Sequence, residues 1–509
     1  MRIRRWPIGE MPADIACRHH RPQSNGRRAL WGRAVALGLL HAALLVPGAA
    51  AQNPVYPAGP PWRPAPGAEV TGRDLRQELK NKTTGTFTVA SVGDMFWKTP
   101  VARRMSAPLR EILRNADITA GNLEGGVGFD PDLTARAMAD LGFDFLAPGE
   151  FGGSPELQIA TQALSPFGIK LAGAGPDLTT ARRPAFQEVP EGLVAFLHAC
   201  PGDNLCGPRA TNTSQGVNPL GVTVWTTVTA EQFTQLEALE ASVLARRNET
   251  DVVVPTALPP ALPPGRLRWL GQNYMVADKP GELRHELNRA DEQALVLAVR
   301  NAKELSDFVI FHMHDHLNRS LFQAYSHSNY PADYLRPFLH RLIDNGLDMY
   351  VGSGVHTVQG IEIYKGRPIF YNQGNLGIDL VRGLDSTPEP HGMTRTELTE
   401  RQRAGFFTDE SNSIAYIAQT TYQDGRLVEI RIYPVDIGLG TRPWSRENVP
   451  TTPTPEKARS ILERIQQYSE PFGTKISIEN NIGIIRVPPE ATVEIGGDLD
   501  IPGRRSDGQ

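Results

Sequence analysis

Short β-prone apolar runs alternate with amphipathic helical segments along most of this chain, and this alternation constrains its fold more than any other feature. Strand-like runs at 86–92 and 193–198 enclose a helical pattern at 103–116, and a predicted helix over Arg289–Leu305 precedes a strand-like run at 307–312. Strands that alternate with helices are typical of sheets covered by helices. We therefore predict an α/β protein with layered β-sheets flanked by helices.

The same patterns predict how the chain is divided. The body is expected to span residues 84–440, with an insertion at about 200–290. Lys-Gly and Asp-Gly dipeptides at 365–366 and 424–425 each separate two strand-like runs, which predicts two β-hairpins. Residues 441–509 are expected to add a helix and a strand that pack on this domain, followed by a disordered tail.

The N-terminal segment has the pattern of an export signal. Arginines precede an apolar run at 34–46, and a helix-breaking, small-residue stretch at 47–51 follows it. This order is typical of a cleaved signal peptide, and a retained membrane anchor is the alternative. Residues 1–51 are thus predicted to be an upstream extension and signal, and residues 52–83 a proline-rich linker. We expect the mature protein in the periplasm or at the cell surface.

Two cysteines remain after the predicted cleavage. Cys17 precedes the cleavage site, and Cys200 and Cys206 form the remaining pair. In an oxidising compartment a disulfide between them is expected. A metal site is the weaker interpretation, because two thiolates alone do not complete a zinc site.

Composition excludes some partners. The 509 residues carry a formal net charge of −4, and charged residues make up 21% of them. Nothing in this charge balance resembles the basic face of a nucleic-acid-binding protein, so no nucleic-acid partner is expected.

Acidic and histidine side chains follow several predicted strands. Asp94 and Glu124 end two early strands, and His356 follows a later one. Open α/β sheets bind ligands at the carboxyl ends of their strands, and carboxylates with neutral imidazoles suit Mn²⁺, Fe and Zn²⁺. Taken singly, Asp94 can be a turn former or helix cap and Glu124 a surface acid.

A denser group follows the strand at 307–312. His312, His314 and His316 lie within five residues, in a chain that has 12 histidines in total. This local density favours a functional role for the group. We do not expect all three imidazoles to share one ligand.

The order of these motifs resembles a known family. Gly-Asp at 93–94 is followed by Asn-Leu-Glu at 122–124, a strand ending in histidine, and Gly-x-x-x-His-x-x-Gln at 352–359. Gly-Ile at 168–169, Gly-Val-Asn-Pro-Leu at 216–220 and Gly-Asn-Leu at 374–376 add to the match. Together they resemble the CapA family, which is named for poly-γ-glutamate capsule synthesis. The match covers about residues 86–440.

The resemblance implies a fold and a ligand set. The family's fold is similar to that of calcineurin-like metallophosphoesterases, which implies four layers in the order α/β/β/α. Carried over residue by residue, one divalent metal (Mn, Fe or Zn) would be held by Asp94, Glu124 and His356, and a second by Glu124 and His314. Three further residues, expected to contact substrate, are Asn122, His312 and His316.

The chain departs from the family at two places. Pro148-Gly149-Glu150 stands where the family has Asn-Asn-His, and Ser353 replaces the first histidine of Gly-His-x-x-His. The second metal would therefore lose two ligands, which predicts one firmly bound metal and a second site that is weak or empty. The catalytic residues implied are His314 and Glu150, the latter as an acid in place of the missing histidine.

Two functions remain open. The first is a metal-dependent hydrolase or transferase with phosphoesterase-like chemistry, acting on an anionic envelope polymer or a phosphoester. The second is a non-catalytic binding component of an envelope-polymer assembly, with membrane-associated capsule-synthesis proteins as partners. The number of bound metals distinguishes them, because catalysis requires a metal site and binding does not.

Overall fold

The computed structural model describes residues 80–97, 101–128, 130–152, 155–201, 206–248, 262–317, 329–378, 410–438 and 449–491. The predicted signal, most of the predicted linker and the predicted C-terminal tail lie outside these residues. The boundaries that the sequence predicts for the domain and its insertion stay predictions.

Two large sheets form the centre of the molecule. Within the described residues the larger has nine strands, and its central members run parallel because helices connect them. In spatial order its strands are Ser477–Glu479, Ile482–Arg486, Arg426–Asp436, Ile414–Gln423, Thr86–Phe96, Ile118–Leu123, Phe145–Ala147 and Lys170–Leu171, with Asn375–Ile378 paired to Thr86–Phe96.

The second sheet has seven strands among the residues described, and its three central strands are again parallel. In spatial order its strands are Ile361–Tyr364, Arg367–Phe370, Met349–Gly354, Phe308–Asp315, Gly192–Pro201 and Ala185–Val189, with Pro219–Leu220 paired to Gly192–Pro201. The central strands are buried on both faces, as parallel strands are when both faces of their sheet are covered.

The two sheets pack face to face across one apolar core. Phe87 and Phe145 of the larger sheet meet Phe196 and Phe308 of the smaller one, and all four are buried. The rings of Phe145 and Phe196 are stacked, with centroids 5.1 Å apart. This contact defines the two inner layers of the molecule.

Helices cover the outer face of each sheet. On the nine-stranded sheet they are Ala107–Arg114, Pro131–Asp140 and Glu156–Leu164, and on the seven-stranded sheet Arg289–Leu305 and Leu335–Asp344. Local capping explains several starts, since Asp130 accepts from the Leu133 amide and Asn288 from those of Ala290 and Asp291. The layers run α/β/β/α, so the predicted fold class is confirmed.

One predicted helix is divided in two. The helical pattern at 103–116 becomes a 3₁₀ turn, Val101–Arg104, followed by the helix Ala107–Arg114. Pro108 lies in the first turn of this helix, where its missing N–H costs nothing, whereas an interior proline would break a longer helix. The position of Pro108 therefore determines where the helix begins, although the amphipathic pattern starts earlier.

A small sheet with one helix lies within the predicted insertion. Its four strands are Arg266–Trp269, Gln272–Val276, Val222–Val228 and Leu283–Leu287, in that order, and Ala230–Asn248 is the helix. Ala174–Gly175 pairs separately with Gly216–Val217, and Leu178–Ala181 is a short helix.

The C-terminal segment completes the larger sheet. The helix Pro455–Ser469 buries Ile461, Leu462 and Ile465 in the core between the sheets. The hairpin that follows it extends the nine-stranded sheet through the pairing of Ile482–Arg486 with Arg426–Asp436. Over the part of the chain that the structure describes, no helix is long and apolar enough to cross a membrane.

Candidate metal centre

Four parallel strands bring acidic and histidine side chains to one edge of the two sheets. Asp94 lies inside the strand Thr86–Phe96, Glu124 directly follows Ile118–Leu123, His314 lies inside Phe308–Asp315, and His356 follows Met349–Gly354. The strands of Asp94 and His314 run further than the sequence predicts, so these two residues lie within their strands rather than after them. The convergence arises because the carboxyl ends of parallel strands meet at the same edge.

The ligand-capable atoms form two groups. Asp94, Glu124 and His356 make up the three-residue cluster, and Glu124, Glu150, His314 and His316 make up the four-residue cluster. Within each cluster one ligand atom per residue lies within 4.8 Å of all the others. Glu124 belongs to both clusters, as a carboxylate that bridges two cations would.

The three-residue cluster is closely spaced, with Asp94 and Glu124 buried and His356 partly buried. His356 Nδ1 lies 3.4 Å from Asp94 Oδ2, and His356 Nε2 lies 3.5 Å from Glu124 Oε1. The Gly354 amide donates to Asp94 Oδ2 at 3.0 Å, which fixes that carboxylate. These are the three residues that the sequence assigns to the first metal.

The four-residue cluster contains more ligands than the sequence predicts. His314 Nε2 lies 3.8 Å from Glu124 Oε1 and 2.7 Å from His316 Nε2, and His316 Nε2 lies 3.9 Å from Glu150 Oε1. Ser353, at the position of the family's histidine, places its hydroxyl 3.2 Å from His314 Nδ1. His316 and Glu150 thus add ligand-capable atoms beside Glu124 and His314.

Asn122 lies between the two clusters rather than at their surface. Its amide nitrogen donates to Asp94 Oδ1 at 2.7 Å and lies 2.9 Å from His314 Nδ1. The side chain is fully buried, so in this structure it orients two candidate ligands, whereas the sequence suggests a substrate contact.

His312 lies apart from both clusters. Positions 312, 314 and 316 have the same parity, so along a strand their side chains face the same side. His312 is deeper between the sheets, where it is fully buried and its Nδ1 lies 2.9 Å from that of His198. Because His312 lies this deep along its strand, the structure does not place it where the expected contact with substrate could form.

The electrostatics favour a bound cation. Burial raises the pKa of Glu124 well above its usual value, and the neighbouring Asp94 charge raises it further. Burial would also raise the pKa of Asp94, but the hydrogen bond and charge of His356 hold it below its ordinary value. Burial lowers the pKa of His314 to about 4, so this imidazole is neutral near pH 7 and presents a lone pair.

Two buried oxygens without hydrogen-bond partners bear on whether a metal fits this site. Glu124 Oε2 and Asn122 Oδ1 are buried and have no hydrogen-bond partner among the described residues. Buried polar atoms are almost always paired, and a buried carboxylate without donors is stabilised by taking up a proton or by a nearby cation. Carboxylates and imidazoles in these two clusters therefore fit Mn²⁺, Fe or Zn²⁺ as ligands.

Two features beside the clusters complete the site. Asn375 belongs to the Gly-Asn-Leu motif at 374–376, for which the sequence predicts no role in the site. Its Oδ1 lies 2.9 Å from His356 Nδ1. Cys200 and Cys206 are joined in a disulfide, as expected, and Cys200 Sγ lies 3.3 Å from the His314 carbonyl oxygen. The disulfide therefore lies against the strand that carries His314.

Comparisons with known proteins confirm the resemblance that the motifs suggest. Residues 267–379 match the family model described as "Bacterial capsule synthesis protein PGA_cap". A Sinorhizobium fredii protein called uncharacterized is 29% identical over 469 residues, covering 82% of this chain and 97% of its own length. A Mycobacterium tuberculosis protein named "Probable polyglutamine synthesis accessory protein" is 27% identical, covering 42% of this chain and 48% of its own.

The comparisons also give one shorter match and two solved structures of low similarity. The "PGA biosynthesis protein CapA" of Bacillus subtilis is 30% identical over 90 residues, which are 18% of this chain and 22% of that protein. A hypothetical protein from Thermus thermophilus superposes with a TM-score of 0.33 at 12% identity, covering 69% of this chain and 99% of its own. The NAD nucleotidase of Haemophilus influenzae gives a TM-score of 0.27 at 8% identity, with coverages of 76% and 56%.

Proposed function

We propose that this chain, whose residues 267–379 match the capsule-synthesis family, is a metal-dependent hydrolase or transferase of envelope-polymer biosynthesis. The observation that carries the proposal is the pair of largely buried clusters that share Glu124. Its substrate would be an anionic polymer of the poly-γ-glutamate type or a phosphoester. Its place of action would be the periplasm or cell surface, beside membrane-associated capsule-synthesis proteins.

Asp94, Glu124 and His356 would hold one divalent ion, and Glu124, His314 and His316 would hold a second. When bound, such ions polarise a phosphoryl or carbonyl oxygen and lower the pKa of bound water. Asn122 would keep Asp94 and His314 oriented through its amide, since it contacts both. Fixing the ligands beforehand avoids reorganisation during the reaction.

Glu150 would act as the acid for the leaving group. Its side chain is 37% exposed, more than that of His316 beside it, so it borders solvent at the edge of the cluster. Burial raises the pKa of Glu150, which favours a carboxyl that holds a proton. Such a group can protonate a departing oxygen, the task that the family's histidine would have at this position.

A specific observation favours a second candidate function. Pro148-Gly149-Glu150 and Ser353 replace residues that the family uses at its second metal. A binding component that has kept the fold and lost the reaction would carry such changes. Its ligand would be the same anionic polymer, held without turnover.

Elemental analysis and an activity assay on the purified, untagged protein test the proposal. We expect at least one divalent metal per chain and Mn²⁺-dependent hydrolysis of a generic phosphodiester. Asp94→Asn should abolish both, while Asp177→Asn, at a helix N-cap outside the clusters, should keep both. Protein that binds no metal and hydrolyses nothing would instead support the binding component.

A further inference from the structure

The strand Asn375–Ile378 lies directly beside Asp94. It pairs in parallel with Thr86–Phe96, with Asn375 opposite Asp94, and the Asp94 amide donates to the Gly374 carbonyl at 3.0 Å. This approach requires glycine at position 93, because a Cβ there would lie 2.1 Å from the Gly374 oxygen. The backbone thus places the Asn375 side chain at the rim of the three-residue cluster.

The hydrogen bonds of Asn375 determine which way its amide points. Its Nδ2 donates to the carbonyl oxygens of His356, at 2.9 Å, and Asn412, at 3.0 Å. Carbonyl oxygens only accept, so the nitrogen must face them and Oδ1 must face His356 Nδ1, 2.9 Å away. Since the amide oxygen is an acceptor, His356 Nδ1 must carry the proton of that bond.

The consequence concerns the other nitrogen of His356. Asp94 Oδ2 is a second, more distant acceptor for this proton, 3.4 Å from His356 Nδ1. With the Nδ1 proton directed at Asn375, the nearer acceptor, Nε2 is the nitrogen whose lone pair a cation can use, and it lies 3.5 Å from Glu124 Oε1. The His356 backbone has φ = +60°, a left-handed conformation that few non-glycine residues adopt. Asn375 bonds both the ring and the carbonyl of His356, so one side chain stabilises its rotamer and its unusual backbone together.

The geometry points to Asn375 as a positioning residue that sets the orientation and tautomer of His356 for a metal at Nε2. This role rests on the proposed function, since it concerns the same cluster. Asn375 acts through His356, as the partners of metal-bound histidines do elsewhere.

The first test follows the His356 ring without any metal. Metal-stripped protein labelled with [¹⁵N]histidine should show a slowly exchanging Nδ1 proton, assigned to His356 by its absence in His356→Ala. We expect Asn375→Ala and Asn375→Leu to lose this signal. The control Asn218→Ala removes another buried asparagine, whose amide bonds the His198 carbonyl, and should keep the signal. A signal that persists in Asn375→Ala overturns the assignment.

The second test measures metal affinity by calorimetric titration of the same proteins with Mn²⁺. We expect Asn375→Ala to weaken the firm site about 10- to 100-fold, the usual effect of losing such a partner. Asn218→Ala should bind as the wild type does.

Two results separate the two proposals. If the wild type binds no Mn²⁺ but Asn375→Ala loses the Nδ1 signal, Asn375 positions His356 and the metal function is wrong. If Asn375→Ala binds Mn²⁺ with wild-type affinity, the inference about Asn375 is wrong and the metal function stands.

Asn375→Asp keeps an acceptor for Nδ1 and loses the two donated bonds, so its affinity should fall between those of the wild type and Asn375→Ala.

Discussion

Glu124 is the residue on which the candidate site depends. Its carboxylate belongs to both clusters, it is buried, and one of its oxygens has no hydrogen-bond partner among the described residues. A buried charge in this state is costly unless a cation compensates it. In the proposed function, a divalent ion would supply this compensation.

The two histidines that face Glu124 should differ in their effect on metal binding. His356→Ala removes one of three ligands of the firm site and should abolish tight binding, while His314→Ala should mainly weaken the second site. Calorimetric titration of metal-stripped protein measures both. Binding that survives His356→Ala but disappears in His314→Ala would reverse this assignment.

The structure also sharpens the prediction about the second site. The sequence leaves that site with Glu124 and His314, and predicts it to be weak or empty. His316 lies close enough to add a third ligand. Ser353→His, which restores the family residue beside His314, should then strengthen the second metal measurably in the same titration.

The substitution Glu150→Gln should show whether Glu150 acts as an acid or as a metal ligand. As an acid, Glu150 protonates the leaving oxygen, so its loss should lower kcat about 100-fold for a phosphodiester with a poor leaving group. For p-nitrophenolate, which needs no proton, the decrease should be small. Metal content should stay unchanged, and the exposed Glu188→Gln serves as control. Loss of a metal on this substitution would show that Glu150 is a ligand.

At the scale of the element, one carboxylate joins a helix to a hairpin. Glu362, on the strand Ile361–Tyr364, accepts hydrogen bonds from Arg336 and His340 of the helix Leu335–Asp344 and from the hydroxyl of Tyr371. Burial alone would raise the pKa of Glu362, but the hydrogen bonds from His340, Arg336 and Tyr371 outweigh it and lower the pKa to about 2. This network fixes the helix against the edge of the seven-stranded sheet.

The lowered pKa makes the contribution of Glu362 dependent on pH. A folded-state pKa below the usual 4.5 means stabilisation that is complete above pH 4.5 and is lost as the pH falls towards 2. Glu362→Gln should therefore reduce the free energy of unfolding by about 2 kcal/mol at pH 7 and by much less near pH 2. Urea denaturation across this range measures the difference.

The matched control for Glu362 is a surface pair. Glu463→Gln breaks an exposed contact with Arg459 on the helix Pro455–Ser469, and should change the free energy of unfolding by less than about 0.5 kcal/mol. An equal loss of stability in both variants at pH 7 would show that the buried network adds nothing.

At the scale of the whole molecule, the predicted export signal is still to be tested. We expect the mature chain to begin near Gln52, since an apolar run and small residues precede it. Cell fractionation followed by N-terminal sequencing of the recovered protein checks this. A recovered chain that keeps residues from before Ala34 would contradict the cleaved signal and leave the membrane anchor as the explanation.

Much of the fold follows from local sequence patterns. The helix predicted over Arg289–Leu305 has these bounds in the structure, and the two predicted hairpins form around Lys365 and Asp424, which adopt positive φ. Apolar periodicity, caps and turn residues act over a few neighbours, so they can be recognised in the sequence. They also place Asp94, Glu124 and His356 at the carboxyl ends of strands.

Only the tertiary structure decides which side chains meet. His316 and Glu150 lie in one cluster, His312 lies deeper beside His198, and Asn375 reaches His356 across a parallel strand pair. These contacts depend on the register and length of strands far apart in the sequence, as when Phe308–Asp315 continues past its predicted end. Local periodicity gives the face on which a side chain lies, whereas the depth of that side chain and its partner are set by packing between distant strands.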